Sequence, residues 1–313
     1  MEISDAERDQ HVKERCFLMN GMNHRAGFVN IIGNPNVGKS TIMNALVGEK
    51  LSIITSKAQT TRHRIIGIVN ADDFQIVYSD TPGILKPRYI LQESMMSFVN
   101  KALADADVIL YVTDVKEYLT ISSEYADRIR QSGIPLIIVV NKIDLSNQTD
   151  LERIVNACEI CFPDSPVIPV SALKKFNMDT LLSAILGKLP EGEPYFPKDQ
   201  LTDKYERFFA SEIIREKILL NYQKEIPYSV EIEIESFKED RDITRIRAVI
   251  HVERESQKGI LIGHKGSGLK KTGTEARKEM ENFFDRKIYL ELFVRVTKDW
   301  RDRPNVLKRF GYR

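Results

Sequence analysis

Residues 27–41 read Gly27-Phe28-Val29-Asn30-Ile31-Ile32-Gly33-Asn34-Pro35-Asn36-Val37-Gly38-Lys39-Ser40-Thr41, an apolar run that leads into a loop punctuated by glycines. Gly33, Gly38 and the Lys-Ser pair after them satisfy the pattern G-x-x-x-x-G-K-[ST] of a phosphate-binding loop. Such a loop turns its amides inward, which requires backbone angles that glycine adopts easily. The phosphate-binding residues predicted by this pattern are Asn34, Asn36, Val37, Gly38, Lys39, Ser40 and Thr41.

The residues on either side of this loop support the same interpretation. A strand of apolar residues precedes the loop, and apolar residues from Ile42 to Leu46 follow at helical spacing. The positive end of that helix would point at a bound anion. We expect Lys39 to reach the β- and γ-phosphates of a nucleotide, and the Ser40 hydroxyl to bind Mg²⁺.

Length and composition limit the class of protein. The chain has 313 residues, which favours two domains that each bury a core. It has no run of 18 apolar residues and no basic-then-apolar secretory signal, and its three cysteines suit a reducing compartment, so we expect a cytoplasmic protein. Cys158 and Cys161 have the spacing of zinc ligands, but no second Cys or His pair lies nearby, and their neighbours favour an amphipathic helix.

The net charge of +1 hides an asymmetry along the chain. Residues 254–313 carry 16 Lys and Arg against 8 Asp and Glu, a net charge of +8, and the rest of the chain carries −7. A cationic region favours a nucleic-acid partner, although a solvated surface of mixed charge is the alternative. The basic C-terminal part is therefore a candidate for a separate functional region.

Residues 1–25 are polar, charged and without a clear hydrophobic period, and we expect this extension to be disordered. Three methionines fall within the first 22 residues. Met22 comes just before the first predicted strand and is therefore a candidate for the true start of translation.

A polar, threonine-rich loop at residues 55–64 follows the first helix. Such a loop can close over a nucleotide, and it becomes a switch when it is ordered only by contact between a threonine, here Thr61, and Mg²⁺ beside a γ-phosphate. Thr-rich loops are common, so this feature carries weight only together with other motifs.

The magnesium aspartate is expected at the end of the next hairpin. Two apolar runs, residues 65–69 and 74–79, form this predicted hairpin, and the second run ends at Asp80-Thr81-Pro82-Gly83. Asp80, at the tip of a buried strand, can hold Mg²⁺ through a water, and Gly83 lets its amide approach the γ-phosphate. We predict that Ser40, Thr61 and Asp80 hold the metal and that Lys39, Thr61, Asp80 and Gly83 are catalytic.

A second tetrad indicates which base is bound. The apolar strand at residues 136–140 delivers Asn141-Lys142-Ile143-Asp144 at its carboxyl end, where open α/β sheets bind ligands. Asp144 can accept both the ring N–H and the exocyclic amine of guanine, a donor pair that adenine lacks. Asn141 would pin neighbouring loops, and the Lys142 stem can lie along the base. The next strand, residues 167–170, ends at Ser171-Ala172, where the Ala172 amide can meet the guanine carbonyl. The predicted guanine-binding residues are Asn141, Lys142, Asp144, Ser171 and Ala172.

The texture of the chain changes after residue 189. Three prolines and a glycine within residues 189–197 preclude a regular element and predict a linker. A helical pattern at residues 203–221 follows, and then two alternating strands separated by a charged turn at 238–242. A third strand is predicted at residues 288–296.

A second glycine-rich loop lies in this basic region. Residues 259–262 form a short apolar turn that leads into Gly263-His264-Lys265-Gly266, a G-x-x-G element followed by a helical stretch. Such a loop clamps nucleic-acid backbone, because its glycines allow close approach to phosphate and the adjoining groove holds about four unpaired nucleotides. A tight helix-capping turn is the structural alternative. The predicted RNA-binding residues are Gly263, His264, Lys265, Gly266, Lys270 and Lys271.

From residue 25 onward the chain resembles the Era family of bacterial GTPases, which have a C-terminal KH domain. The resemblance rests on the phosphate loop, the tetrad at 141–144 and the Gly263–Gly266 loop, together with Gln59-Thr60-Thr61-Arg62-His63, Asp80-Thr81-Pro82-Gly83, Ser171-Ala172 and Pro227-Tyr228-Ser229-Val230. It implies GTP hydrolysis coupled to binding of the 3′ end of 16S ribosomal RNA during assembly of the 30S subunit. It also implies Mg²⁺, GTP and GDP as ligands, a K⁺ ion near Asn36, and loose association with the inner membrane surface.

The fold class expected from these observations is α/β, a P-loop GTPase domain with a mostly parallel six-stranded sheet, followed by a smaller α+β KH domain of type II. We assign residues 1–25 to the extension, 26–189 to the GTPase domain, 190–202 to the linker, and 203–313 to the KH domain with its basic tail. We expect a monomer.

Three alternative functions differ from this interpretation. The chain could be an RNA-binding assembly protein whose nucleotide site is only structural. It could be an ATP-using enzyme, although Asp144 opposes that, or contain two tandem nucleotide domains, although only one phosphate loop occurs. The C-terminal basic residues 301–309 could extend the RNA surface, whereas Trp300 could equally cover a sheet.

Ile84 occupies the position after Gly83, where many GTPases carry a glutamine that orients the attacking water. An isoleucine side chain cannot orient water, so we expect slow intrinsic turnover, with charge stabilisation from Lys39, Mg²⁺ and backbone amides. Ile84→Gln should raise the hydrolysis rate strongly in a phosphate-release assay. An unchanged rate would contradict the idea that the missing glutamine limits turnover.

Overall fold

The computed structural model describes residues 24–116 and 123–312. The predictions of a disordered extension and of a start at Met22 concern residues outside these ranges, apart from the last two residues of the extension. The first strand begins at Arg25, one residue before the expected boundary of the GTPase domain.

Regular elements follow one another along the chain with short connections. The strands are β1 (Arg25–Gly33), β2 (Ile65–Asn70), β3 (Phe74–Asp80), β4 (Val108–Asp114), β5 (Leu136–Asn141), β6 (Val167–Pro169), β7 (Glu231–Glu239), β8 (Thr244–Val252) and β9 (Ile288–Val296). The helices are α1 (Lys39–Val47), α2 (Ile90–Ala104), α3 (Ser123–Ser132), α4 (Gln148–Cys161), α5 (Met178–Lys188), α6 (Glu206–Asn221), α7 (Ile226–Ser229), α8 (Glu255–Ile262), α9 (Ser267–Phe284) and α10 (Pro304–Arg309). Within the described ranges, no helix is both long and apolar enough to span a bilayer.

The first six strands form one sheet in the order β2-β3-β1-β4-β5-β6. β2 pairs with β3 in the antiparallel sense, and the other neighbouring strands are parallel. Apolar residues cover both faces, as a parallel sheet requires, and they pack against helices in two buried clusters. The predicted mostly parallel six-stranded sheet is confirmed.

The remaining strands form a sheet in the order β7-β8-β9, with β7 antiparallel and β9 parallel to β8. One face of this sheet packs against α6 and α9, and Ile214, Ile250 and Met280 are fully buried between them. The order of elements is α-β-β-α-α-β from α6 to β9. The smaller α+β domain with a three-stranded sheet is therefore also confirmed.

Local departures from the sequence-based elements have physical causes. The apolar turn expected at residues 259–262 is the end of α8, whose first turn is closed by Gln257, because its side-chain Oε1 accepts from the Arg254 amide at 3.2 Å. The long helix begins at Glu206 rather than at 203. The reason is that the Ile68 amide donates to the Leu201 carbonyl at 2.8 Å, which holds the preceding segment along the edge strand β2.

Cys158 and Cys161 lie on α4, as the amphipathic pattern predicted. Cys158 is 1% exposed and packs in the core beneath the sheet. Burial raises the pKa of its thiol to about 11, so the thiol stays neutral near pH 7.

The C-terminal segment joins the two sheets into one body. Trp300 is fully buried, and its Nε1 donates to the Ser229 carbonyl at 3.0 Å. The same indole packs in a cluster with Leu91 and Met95 of α2. Trp300 therefore lies in the junction between the two domains and is not available to an RNA surface.

The junction also surrounds His63, which stacks on Tyr312 with ring centroids 4.3 Å apart. The rings of Phe98 and Phe208 each lie 5.8 Å from it. Desolvation by these neighbours lowers the pKa of His63 to about 4, against the opposing effect of Glu212. The imidazole is consequently neutral in the folded protein at pH 7.

This buried imidazole should contribute to acid sensitivity. Because the folded-state pKa lies below the unfolded value of about 6.5, the unfolded chain binds more protons between these values, and stability falls as the pH falls from about 6.5 to 4. We expect His63 to account for at most about 3 kcal/mol of that loss. His63→Phe should show a smaller loss of unfolding free energy over this range in urea titrations. Identical pH profiles for both proteins would contradict the prediction.

Candidate functional site

A cavity of about 460 Å³ opens at the carboxyl-terminal edge of the six-stranded sheet. The phosphate loop forms its floor, the threonine-rich loop forms one wall, and the tetrad at 141–144 lies at the far end. The lining includes Asn36, Gly38, Lys39, Ser40, Thr41, Thr61, Gly83, Asn141, Lys142 and Asp144. Ten of the predicted site residues thus line one space.

The phosphate loop closes on itself around the amine of Lys39. Lys39 Nζ donates to the Gly33 carbonyl at 3.1 Å and to the Asn34 carbonyl at 2.7 Å. Desolvation lowers the pKa of Lys39 to about 8. Gly38 has φ 97°, and a Cβ there would lie 2.2 Å from Asn141 Nδ2, so only glycine fits. Helix α1 starts at Lys39 and leaves its first amides free to face an anion.

The three predicted metal residues converge beneath this loop. Ser40 Oγ donates to Asp80 Oδ2 at 2.6 Å, and Thr61 Oγ1 lies 3.0 Å from Ser40 Oγ and 3.2 Å from the same carboxylate oxygen. Asp80 is fully buried, and its other oxygen, Oδ1, has no hydrogen-bond partner among the described residues. Desolvation raises the pKa of this carboxyl.

This oxygen-rich donor set fits Mg²⁺. Two hydroxyls and a carboxylate are hard oxygen ligands, which Mg²⁺ prefers. A buried carboxylate oxygen without a partner is costly, and a cation or its bound water would satisfy Asp80 Oδ1.

The base end is held together by side-chain hydrogen bonds. Asn141 Nδ2 donates to the Val37 carbonyl at 2.9 Å, and Asn141 Oδ1 accepts from the Ala172 amide at 3.1 Å, which links the phosphate loop to the loop after β6. Ser171 Oγ donates to Asp144 Oδ1 at 2.6 Å and thereby orients this carboxylate. The amide of Ala172 points at Asn141, and its contact with a guanine carbonyl stays a prediction.

Two further residues shape the site beyond those predicted. Lys142 Nζ lies 2.6 Å from Asp114 Oδ2, which fixes the lysine stem beside the cavity. Asp114 ends β4, one residue beyond the strand expected from the apolar run. Its position at the carboxyl end of a parallel strand is the signal that could have identified it. Ile84 packs against the core, and its amide donates to the Gly33 carbonyl at 3.1 Å.

The second predicted site lies between α8 and α9 of the smaller domain. Gly263 and Gly266 have φ of 70° and 80°, and the chain between them is a short 3-10 turn that exposes His264 and Lys265. Helix α9 follows directly, with Lys270 and Lys271 exposed. Gly268 packs closely against this turn and α8, because a Cβ on it would lie 2.9 Å from the Leu261 carbonyl. The six predicted RNA-binding residues therefore form one exposed, cationic edge.

Comparisons with known proteins agree with both sites. Residues 28–142 match the family described as 50S ribosome-binding GTPase, and residues 225–301 match the KH domain family. GTPase Era of Syntrophus aciditrophicus is 47% identical over 291 residues, which are 92% of this chain and 95% of that protein. The chain belongs to the Era family of GTPases. GTPase Era of Alkaliphilus metalliredigens is 41% identical over 93% of this chain and 100% of its own.

Solved structures place this Era-family GTPase in the same group. A variant of Aquifex aeolicus Era bound to GDP.AlF4- has a TM-score of 0.89 and 41% identity, covering 92% of this chain and 99% of its own. Era in complex with MgGDPNP and nucleotides 1506–1542 of 16S ribosomal RNA gives the same values. Family membership confirms the predicted enzyme class, a GTPase, and opposes the ATP-using alternative.

The base preference of this Era-family GTPase tests the role of Asp144. Asp144→Ala removes the acceptor for two guanine donors and should weaken GTP binding roughly 100-fold or more, with little change in ATP binding. Calorimetry with both nucleotides measures this selectivity. Asp164→Ala, which removes an exposed acid of the same domain, is the matched control. If the preference for GTP survives in Asp144→Ala, another residue selects the base.

Proposed function

We propose that this Era-family GTPase binds GTP with Mg²⁺ in the cavity and couples its hydrolysis to binding of unpaired RNA by the Gly263–Gly266 loop. The convergence of Ser40, Thr61 and Asp80 beneath the phosphate loop is the observation that carries the nucleotide part. The Era structure with MgGDPNP and 16S ribosomal RNA supports the RNA part. We assign residues 26–189 to the GTPase domain, 190–202 to the linker and 203–313 to the KH domain.

Each side chain of the phosphate end has a role in this proposal. Lys39 would leave its two backbone carbonyls and bind the β- and γ-phosphates, as would the amides of residues 34–41. Ser40, Thr61 and Asp80 would hold Mg²⁺, which neutralises negative charge on the phosphoryl oxygens when bound. Gly83 would bring its amide to the γ-phosphate, where it stabilises charge that develops during transfer.

At the base end, Asp144 would accept both donors of guanine while Ser171 keeps its carboxylate in place. Lys142 would lie along the base, since Asp114 holds its amine at the edge of the cavity. Asn141 would keep the loops around the base and the phosphates at a fixed separation.

The RNA site combines charge with close backbone approach. His264 and Lys265 project from the loop, and Lys270 and Lys271 lie on the first turns of α9. These cations would bind phosphates, and the groove beside the loop would accommodate unpaired bases.

The proposed partner is the 3′ end of 16S ribosomal RNA within a maturing 30S subunit, which places the protein in the cytoplasm. We also propose that it acts as a monomer, with a K⁺ ion near Asn36 assisting hydrolysis and with reversible contact with the inner membrane surface. The first of these partners has the most direct support, from the relative solved with that RNA segment.

Coupling between the two sites is the part that distinguishes this proposal from an RNA-binding protein with a structural nucleotide site. Affinity for a fragment of the 16S 3′ end should differ between protein saturated with GDP and with a non-hydrolysable GTP analogue. Lys39→Ala should abolish that difference, because the γ-phosphate loses its cationic partner. Fluorescence anisotropy with labelled RNA measures both affinities.

Lys101→Ala, an exposed lysine on α2, is the control and should keep the difference. RNA affinity that is the same with either nucleotide in the unaltered protein would support the structural alternative instead.

A further inference from the structure

The loop that carries Thr61 lies between the nucleotide cavity and the KH domain. Gln59, Thr60 and Thr61 line the cavity on one side. On the other side, side chains and carbonyls of the KH domain hold residues 57–63, which we call the threonine segment. Its contacts with the KH domain span more than 150 positions of the chain.

Arg62 is the first anchor of this segment. Its side chain is 1% exposed and lies within the KH domain. Nη1 donates to the Val230 carbonyl at 2.7 Å and to Glu231 Oε2 at 3.1 Å, and Nη2 donates to the Pro227 carbonyl at 3.2 Å. Tyr312 donates its hydroxyl to the same Glu231 oxygen at 2.8 Å, which ties the C-terminal segment to this contact.

Arg215 of α6 is the second anchor, and it approaches from the opposite direction. Its guanidinium, also 1% exposed, donates to the Gln59 carbonyl at 3.4 Å and to the Thr60 carbonyl. Glu212, one turn earlier on the same helix, accepts from Arg215 Nε at 2.8 Å and fixes its orientation. Lys57 adds a third link, because its amine donates to the carbonyls of Leu219 and Tyr222.

These anchors lie on both sides of Thr61 in the chain. The carbonyl of Thr60 and the side chain of Arg62 are each fixed by the KH domain, so the backbone at Thr61 has little freedom to move away from Asp80. Buried ion pairs contribute little net stability relative to apolar packing, because both charges must be desolvated. Their principal consequence here is the placement of a loop that has no regular secondary structure of its own.

We propose that Arg62 and Arg215 are positioning residues of the GTPase reaction, through which the KH domain holds Thr61 at the metal site. The inference rests on the proposed role of Thr61. A segment that is already ordered need not lose conformational freedom when Mg²⁺ and a γ-phosphate bind, so the docked KH domain favours GTP over GDP. By linkage, a bound γ-phosphate favours the docked domain by the same factor.

Variants that keep the charge and remove the forked geometry test this proposal. Arg215→Lys retains an ion pair with Glu212, but one ammonium cannot replace a guanidinium that serves a carboxylate and two carbonyls. Arg62→Lys is the equivalent change at the other anchor. Each should lower affinity for a GTP analogue relative to GDP roughly tenfold in the presence of Mg²⁺, with GDP affinity little changed. Calorimetry of the full chain with both nucleotides measures the ratio.

Arg277→Lys is the matched control, because Arg277 also pairs with a glutamate of its own helix, Glu281, at 2.6 Å, but lies on α9 outside the threonine segment's contacts. It should leave the ratio unchanged. Thermal unfolding shows whether each variant is folded, and Tyr312→Phe, which removes one hydrogen bond to Glu231, replaces Arg62→Lys if that variant is not.

Thr61→Ala separates the two levels of the proposal. If Thr61→Ala lowers the GTP-to-GDP ratio and the folded arginine variants do not, the positioning role is overturned while the role of Thr61 stands. If Thr61→Ala leaves the ratio unchanged, the proposed role of Thr61 fails and the positioning role fails with it. Equal losses of GDP and GTP-analogue affinity in the arginine variants would show a merely structural effect and also overturn the inference.

Discussion

The site depends on one geometric constraint, the shared carboxyl-terminal edge of parallel strands. Register places Ile31 beside Asp80 and Asp114 beside Asn141, so residues far apart in sequence emerge at the same level. Because neighbouring strands lie less than 5 Å apart, a short loop after each strand is enough to bring phosphate, metal and base contacts into one cavity. The apolar core below this edge fixes the spacing between those loops.

Polar groups at this edge break the usual rules of burial. Asp80 is fully buried with one oxygen unpartnered, and Lys39 is 6% exposed with a lowered pKa. Each arrangement would cost free energy in a protein without a ligand, because a buried charge needs compensation. Together they form a site of opposite charges that a nucleotide with its magnesium ion would complete, and the surrounding core supplies the stability that tolerates the cost.

Motifs that depend on local geometry could be predicted from the sequence, and contacts between distant segments could not. The phosphate loop, the hairpin before Asp80 and the tetrad at 141–144 each follow from residues a few positions apart, so period and turn chemistry were sufficient. Helix α8 was missed because its apolar run is short and contains a glycine. The contacts of Arg62 and Arg215 were missed because hydrophobic patterning carries no information about which carbonyl a buried arginine reaches 156 to 168 residues away.

Helix α6 is the physical connection between the two sites. Lys217 and Asn221 bind Glu279 and Glu275 of α9, each at 2.6 Å, and one turn away Arg215 binds the carbonyl of Thr60. Helix α9 begins at the Gly263–Gly266 loop, so a shift of α9 displaces α6 together with its arginine. Packed helices move between discrete arrangements rather than deforming continuously. The linker at 190–202 cannot substitute as the route, because its own hydrogen bonds, from Gln75 to the Phe196 carbonyl at 2.8 Å and from Thr202 to the Ile66 carbonyl at 2.6 Å, fasten it to the sheet of the GTPase domain.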